Sequence, residues 1–271
     1  MKNLKRISAV FFIILLFSGC ATNPLSGKNT MAFIGNNELF AMSFSEYNTF
    51  LNENNVVTGT PESEMIKRVG ERLSVAAQKW LTSEGRPDYL NDYRWEFNLV
   101  QDNTVNAWCM PGGKIVFYTG ILPITQTEAG VAVVMGHEIA HALLNHGQQR
   151  MSAGVLQQLG AVGVAILTGG GSPTTQALAM TAYGVGSNLL GTLPFSREHE
   201  SEADHYGLIL MAIAGYNPEE GAPLWERMAA RSGGGGPEFL STHPSETSRI
   251  RNLRALAPEA KRVAADFGVH F

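Results

Sequence analysis

The sequence predicts an α+β domain, mostly helical with a small β-sheet. Two patterns and one bulk property point to it. Apolar residues recur at three and four over 61–81, alternate over 95–118, then return to helical spacing from 125 onward. Helices, a small sheet and more helices around one core is the α+β order. The chain has 271 residues, 44% hydrophobic and 16% charged, long enough to bury a core without disulfide or metal staples. That composition excludes disordered, collagen-like and disulfide-scaffold proteins. A net charge of −4 argues against a nucleic-acid partner, which needs a basic face. Two cysteines exclude a four-thiolate zinc site.

The elements follow in order. Helical spacing covers 37–53. Thr60-Pro61 caps a helix over 61–81. After a loop at 86–93, strands are expected over 95–100, 106–110 and 114–118, with Pro111-Gly112-Gly113 as a hairpin turn. Thr125-x-x-Glu128 reads as a capping box opening an apolar helix to about residue 145. Residues 151–193 are Gly- and Ala-rich and almost uncharged, and 146–195 reads either as a lid over a cleft or as a buried helical hairpin. A charged helix follows over 196–214 and stops at Gly215; Asn217-Pro218 caps the next, to about 231. Gly233 to Gly236 breaks the chain, and Pro244 starts a last helix through 256.

Residues 1–20 carry a different signal. Lys2, Lys5 and Arg6 precede a nine-residue apolar run, then Ser18, Gly19 and Cys20. The apolar run suits a secretory signal and is too short to span a bilayer. The segment resembles the lipobox of bacterial lipoproteins, with Phe17 where Leu is usual. That resemblance implies a signal peptide at 1–19, lipid on Cys20, a lipidated tether at 20–35 and a single domain over 36–271. Ala21, in place of the Asp that retains inner-membrane lipoproteins, points to the periplasmic face of the outer membrane. With Cys20 acylated, Cys109 has no partner in the chain and is expected as a small buried apolar residue.

Residues 137–141 read His-Glu-Ile-Ala-His. On a helix, positions i and i+4 share a face, so His137 and His141 can aim two imidazoles at one ion. Glu138 lies one step round, beside the ion, where it can take a proton from activated water. The neighbours Val131, Val133, Val134, Met135, Ala140 and Leu143 are apolar, a costly setting for three polar side chains without partners. A catalytic zinc needs a third protein ligand. Leu144 and Gly147 break the pattern that would recruit a third histidine downstream. Glu84 to Asp88 contains Gly85 and Pro87 and is not helical, so Glu200 to Asp204 is the better source. Glu200 can ligate the metal while Asp204, one turn on, accepts from the far side of a ligand imidazole. Glu198 and Glu202 lie roughly 200° round the helix and cannot share that face.

His137-Glu138-x-x-His141 with Ser196-Arg197-x-x-Glu200-x-x-Ala203-Asp204-x-x-Gly207 resembles the gluzincin metallopeptidases of the HtpX and CAAX prenyl protease family, in its soluble branch. Asn106-Ala107-Trp108-x-x-Pro111-Gly112-Gly113 and Thr242-His243-Pro244 are similar as well, so the likeness covers about 60–257. It implies a zincin-like domain with the sheet beside the histidine helix and one Zn2+ per chain on His137, His141 and Glu200. Glu138 would be the general base and Asp204 the orienting group. Asn106 and Ala107 would lie on an edge strand that pairs with peptide substrate. His243 would sit near the zinc, either stabilising the oxyanion or closing the site as a fourth ligand. The implied activity is endopeptidase action on unfolded or misfolded cell-envelope proteins, with envelope assembly machinery a further partner. The alternative is a latent or chaperone-like periplasmic lipoprotein closed by His243. Arg249 reads as either a surface residue or a carboxylate partner, and His146, His199 and His205 as structural or exposed.

Overall fold

The computed structural model of the chain describes residues 20–23, 25–154, 196–231, 238–243 and 247–271. The described residues fall into two compact units, one from 20–39 with 147–154 and one from 40–146 with the described residues after 195. The signal-peptide expectation at 1–19 and the lid or hairpin expectation from 155 to 195 lie outside the described residues. No described helix is long and apolar enough to cross a membrane.

In the first unit the expected tether is partly ordered. Strands β1 (Cys20–Thr22) and β2 (Asn29–Met31) pair antiparallel. The turn forms because the Asn23 side chain accepts from the backbone N–H groups of Leu25 and Ser26, at 2.9 and 3.1 Å. A polar linker thereby gains a local acceptor and folds back. Helix α1 (Asn36–Glu53) begins in this unit and continues into the second.

The second unit holds a four-stranded sheet in the order β3-β4-β6-β5. Its strands are β3 (Val56–Val57), β4 (Glu96–Val100), β5 (Ala107–Met110) and β6 (Lys114–Tyr118). β5 and β6 form the expected hairpin, and Gly112 and Gly113 take φ of +83° and +89° in its turn. Consecutive positive φ values favour glycine strongly. The sheet is not built of hairpins throughout, because β4 pairs parallel with β6. Ile115, Val116 and Phe117 are all fully buried, so β6 is covered on both faces and takes a central place. That leaves β5 at the edge.

Helix α2 (Pro61–Ser83) starts at Thr60 with a capping box closed by Ser63. The short α3 (Leu122–Thr125) precedes α4 (Glu128–Leu143), the histidine helix. The expected cap at Thr125 is corrected to Thr127, whose side chain accepts from Gly130. Gln126 at φ 62° ends α3, and Thr127 then enters the extended conformation that a cap requires. Helix α5 (Arg197–Ile213) starts at Ser196, which accepts from His199.

α4 and α5 cross at two glycines. A Cβ at Gly136 would lie 2.8 Å from the Gly207 carbonyl oxygen, and one at Gly207 would lie 2.8 Å from the His137 nitrogen. Backbone meets backbone there with no room for a methyl group. After α6 (Gly221–Ala230) and α7 (Glu238–Thr242), helix α8 (Thr247–Asp266) runs ten residues past its expected end and carries Pro258 inside it. Leu253, Ala257, Ala260 and Ala264 are buried, so one apolar stripe continues through the proline. The expected start at Pro244 lies outside the described residues.

Gly207→Ala forces α4 and α5 apart at His137. Urea unfolding should show a loss of about 1–3 kcal/mol, the usual cost of overpacking.

Candidate metal centre

All the groups of the candidate site belong to the second unit. α4 supplies His137, Glu138 and His141; α5 supplies Glu200 and Asp204; His243 follows the last turn of α7, and Arg249 lies on α8. All seven are buried. Ligand atoms of His137, His141, Glu200 and His243 lie within 4.8 Å of one another.

The distances test whether these donors fit an ion. Four ligands at 2.0–2.1 Å in a tetrahedron stand about 3.3 Å apart. His137 Nε2 is 3.0 Å from His141 Nε2, 3.2 Å from His243 Nδ1 and 3.5 Å from Glu200 Oε2. Glu200 Oε1 is 3.3 Å from His141 Nε2 and 3.0 Å from His243 Nδ1. Every separation matches a tetrahedral edge to within a few tenths of an ångström. Three imidazoles and one carboxylate form a donor set that suits zinc. These residues therefore fit the metal that the sequence implies.

The far side of His137 is tied down. Its Nδ1 is 2.9 Å from Asp204 Oδ1. Arg249 grips Asp204 with two donors, Nε to Oδ2 and Nη2 to Oδ1, both at 2.7 Å, and gives Nη1 to Glu200 Oε2 at 2.9 Å. Its guanidinium lies 3.4 Å above the Trp225 ring. The arginine thus bridges two buried carboxylates and stacks on an aromatic face, two uses a lysine serves poorly. Of the two readings of Arg249, the carboxylate partner is the observed one.

These contacts set the protonation. Burial alone would raise the Glu200 carboxyl, but His137, His141 and His243 hold it well below the usual carboxylate range. Burial works to raise Asp204 too, and Arg249 and His137 hold it down. Burial depresses His137, yet Asp204 and Glu200 outweigh that and lift it to about 9. His141 is driven well down by burial. Glu138 differs: burial raises its carboxyl, and His243 and His137 only partly oppose the shift. Its Oε1 is buried with no hydrogen-bond partner among the described residues; His243 Nε2 stands 3.4 Å away. A buried carboxylate oxygen without a donor is costly and marks a place where a proton donor belongs.

Asn106 and Ala107 lie at the start of the edge strand. The Tyr118 N–H donates to the Asn106 carbonyl, so residue 106 faces β6. By antiparallel alternation Ala107 and Cys109 turn their backbone groups outward. The Ala107 N–H is held by the Asn106 side chain at 2.9 Å, and the Cys109 N–H faces the Glu138 carboxylate and lowers it. Cys109 is a free cysteine, half-buried as a residue, and burial pushes its thiol well up. Glu84 caps the C-terminal end of α2 and is not among the clustered donor residues. Cys20 lies on β1 in the other unit. Trp225 escapes sequence reading, since an aromatic on an amphipathic helix signals only core.

Residues 64–257 match peptidase family M48. The chain is 35% identical over 182 residues to the mitochondrial metalloendopeptidase OMA1 of Saccharomyces cerevisiae, covering 64% of this chain and 50% of that protein. It is 37% identical over 181 residues to the Schizosaccharomyces pombe protein of the same name, covering 65% and 51%. It is 30% identical over 175 residues to the beta-barrel assembly-enhancing protease of Escherichia coli, covering 62% and 35%. The chain thus spans about half the length of the yeast relatives.

Arg249→Leu leaves Glu200 and Asp204 buried without their cation. Breaking a buried pair in this way should cost about 3–5 kcal/mol in denaturant unfolding of the metal-free protein. Arg249→Lys should recover only part of the loss.

Proposed function

This chain belongs to peptidase family M48, and from that premise we propose that it is a zinc-dependent endopeptidase acting on extended segments of unfolded or misfolded cell-envelope proteins. The observation that carries the reading is the Glu138 Oε1 atom, buried and without a donor beside a four-donor metal cluster. Zinc, when bound, supplies Lewis acidity that polarises a carbonyl and acidifies water. His137, His141 and Glu200 hold it, and Asp204 orients His137. Glu138 accepts the proton of the attacking water at Oε1 and delivers it to the leaving amine. A carboxylate raised by burial suits that two-way transfer. The outward backbone groups of Ala107 support pairing with a substrate strand, which displaces the Asn106 side chain from the Ala107 N–H. Such pairing favours chain segments whose own backbone is unpaired.

The position of His243 supports a second reading, of the resting state. Its Nδ1 stands at tetrahedral-edge distance from both His137 and Glu200. In that place it would serve as a fourth ligand, and the enzyme would rest closed. Opening requires His243 to leave, after which it can face a developing oxyanion.

The address is read from residues 1–20 alone: a basic start, an apolar run, Ser18-Gly19 and Cys20. We place the protein on the periplasmic face of a bacterial outer membrane, anchored by lipid at Cys20, within reach of envelope assembly machinery.

Glu138→Gln should retain one zinc per chain and lower cleavage of an unfolded reporter by about 10²–10⁴-fold, read by mass spectrometry. Full turnover in that variant overturns the base assignment. His243→Ala should raise cleavage if the residue closes the site. A fall in cleavage instead assigns it to the oxyanion.

A further inference from the structure

We propose that His146 and Glu202 form a hydrogen-bonded relay that fixes the tautomer of the metal ligand His141, with His146 as a positioning residue. The inference rests on the zinc site proposed above and concerns groups that the site does not itself contain.

His146 has no exposed surface. A buried imidazole needs partners on both nitrogens. Its Nδ1 lies 2.9 Å from His141 Nδ1, and its Nε2 lies 3.1 Å from Glu202 Oε2. The protons along this line follow from what each group can do. A carboxylate only accepts, so His146 Nε2 carries the N–H that points at Glu202. The neutral ring then has a bare lone pair at Nδ1. Two facing Nδ1 atoms can share only one proton, so it sits on His141. His141 is left with its lone pair at Nε2, the atom 3.0 Å from His137 Nε2 and 3.3 Å from Glu200 Oε1. The relay therefore holds His141 in its ligand form before any ion arrives.

The backbone is shaped for this contact. α4 ends at Leu143, and Asn145 takes φ 57°, a left-handed conformation that Asn tolerates better than most residues. That turn brings His146, five residues further along the chain, back beside His141. Asn145 is held there by its Nδ2 donating to the Tyr89 hydroxyl at 3.1 Å. The His199 ring stacks on His146 with centroids 4.1 Å apart and planes 18° from parallel, which sets the ring's orientation. Glu202 belongs to α5, as does Asp204. One helix thus orients both α4 imidazoles from behind: Asp204 directly on His137, and Glu202 through His146 on His141. The rotation that keeps Glu202 off the metal gives it this other use.

The test uses the full chain. In the zinc-loaded native protein, long-range proton–nitrogen NMR of the histidines should show His141 protonated at Nδ1 and His146 protonated at Nε2 alone. Zinc affinity is then measured by competition with a chromophoric chelator. His146→Leu should weaken binding by about 10–100-fold, the usual effect of losing an orienting partner. His146→Asn places an amide oxygen near the lost Nδ1 and should recover most of that affinity. A proton on His146 Nδ1, a His146→Leu affinity within twofold of native, or no rescue by Asn overturns the relay. Native protein that binds no zinc overturns the metal reading itself, a separate result. Should the Leu variant fail to fold, the native NMR assignment still decides.

Discussion

The close crossing of α4 and α5 is the constraint on which the site depends. Gly136 and Gly207 let the two backbones touch, and no side chain fits between them. Glu200 lies about two turns before Gly207, and His137 follows Gly136 directly. Contact at the glycines therefore lowers Glu200 onto the face where His137 and His141 point. Any wider crossing would carry the carboxylate out of reach of both imidazoles. The candidate ligands His137, His141 and Glu200 sit on two different helices, so their spacing is a packing result, fixed by interhelical distance.

Packing alone would leave a charge problem. Glu200 and Asp204 are both buried on one helix face, one turn apart. Two unpaired carboxylates in that setting would take up protons or hold the helices apart. Arg249 resolves this from α8 with three donors, and Trp225 beneath it shields the guanidinium from water. Arg249 together with His137 keeps Asp204 ionised as the acceptor for His137, while the three histidines hold Glu200 ionised and Arg249 fixes the direction of its carboxylate. α8 is thus part of the site although no metal-ligating atom comes from it.

What the sequence revealed divides along physical lines. Period and spacing exposed the longer helices, the three longer strands, and the i, i+4 pairs of His137 with His141 and Glu200 with Asp204, because each is a local regularity of one element, while the four- and five-residue helices α3 and α7 are too short to show a period. The cap at Thr127 was missed for a local reason too: Thr125 offers the better motif, and only the positive φ of Gln126 moves the start. The parallel pairing of β4 with β6 was invisible, since alternation reports which face is buried and says nothing of the neighbour. Arg249, Trp225 and the His146–Glu202 contact were beyond spacing altogether. Each joins residues dozens of positions apart, and a lone buried Arg or His has the same local signature as an exposed one.

The four donors that could hold a metal are not equally anchored. His137 and His141 lie on a helix of 16 residues and Glu200 on one of 17, locked together at the glycines. His243 follows a helix of five residues, steadied by Phe239, whose ring stacks on it at 4.5 Å. The donor with the smallest cooperative unit behind it is the cheapest to displace. Removing any of the other three would break into the α4–α5 crossing, while moving His243 disturbs one short helix. In the closed reading proposed here, that asymmetry makes His243 the ligand that yields. Its Nε2 lies 3.4 Å from Glu138 Oε1, so its departure would also clear space for water beside the proposed general base. One small movement would open the coordination position and the proton acceptor together.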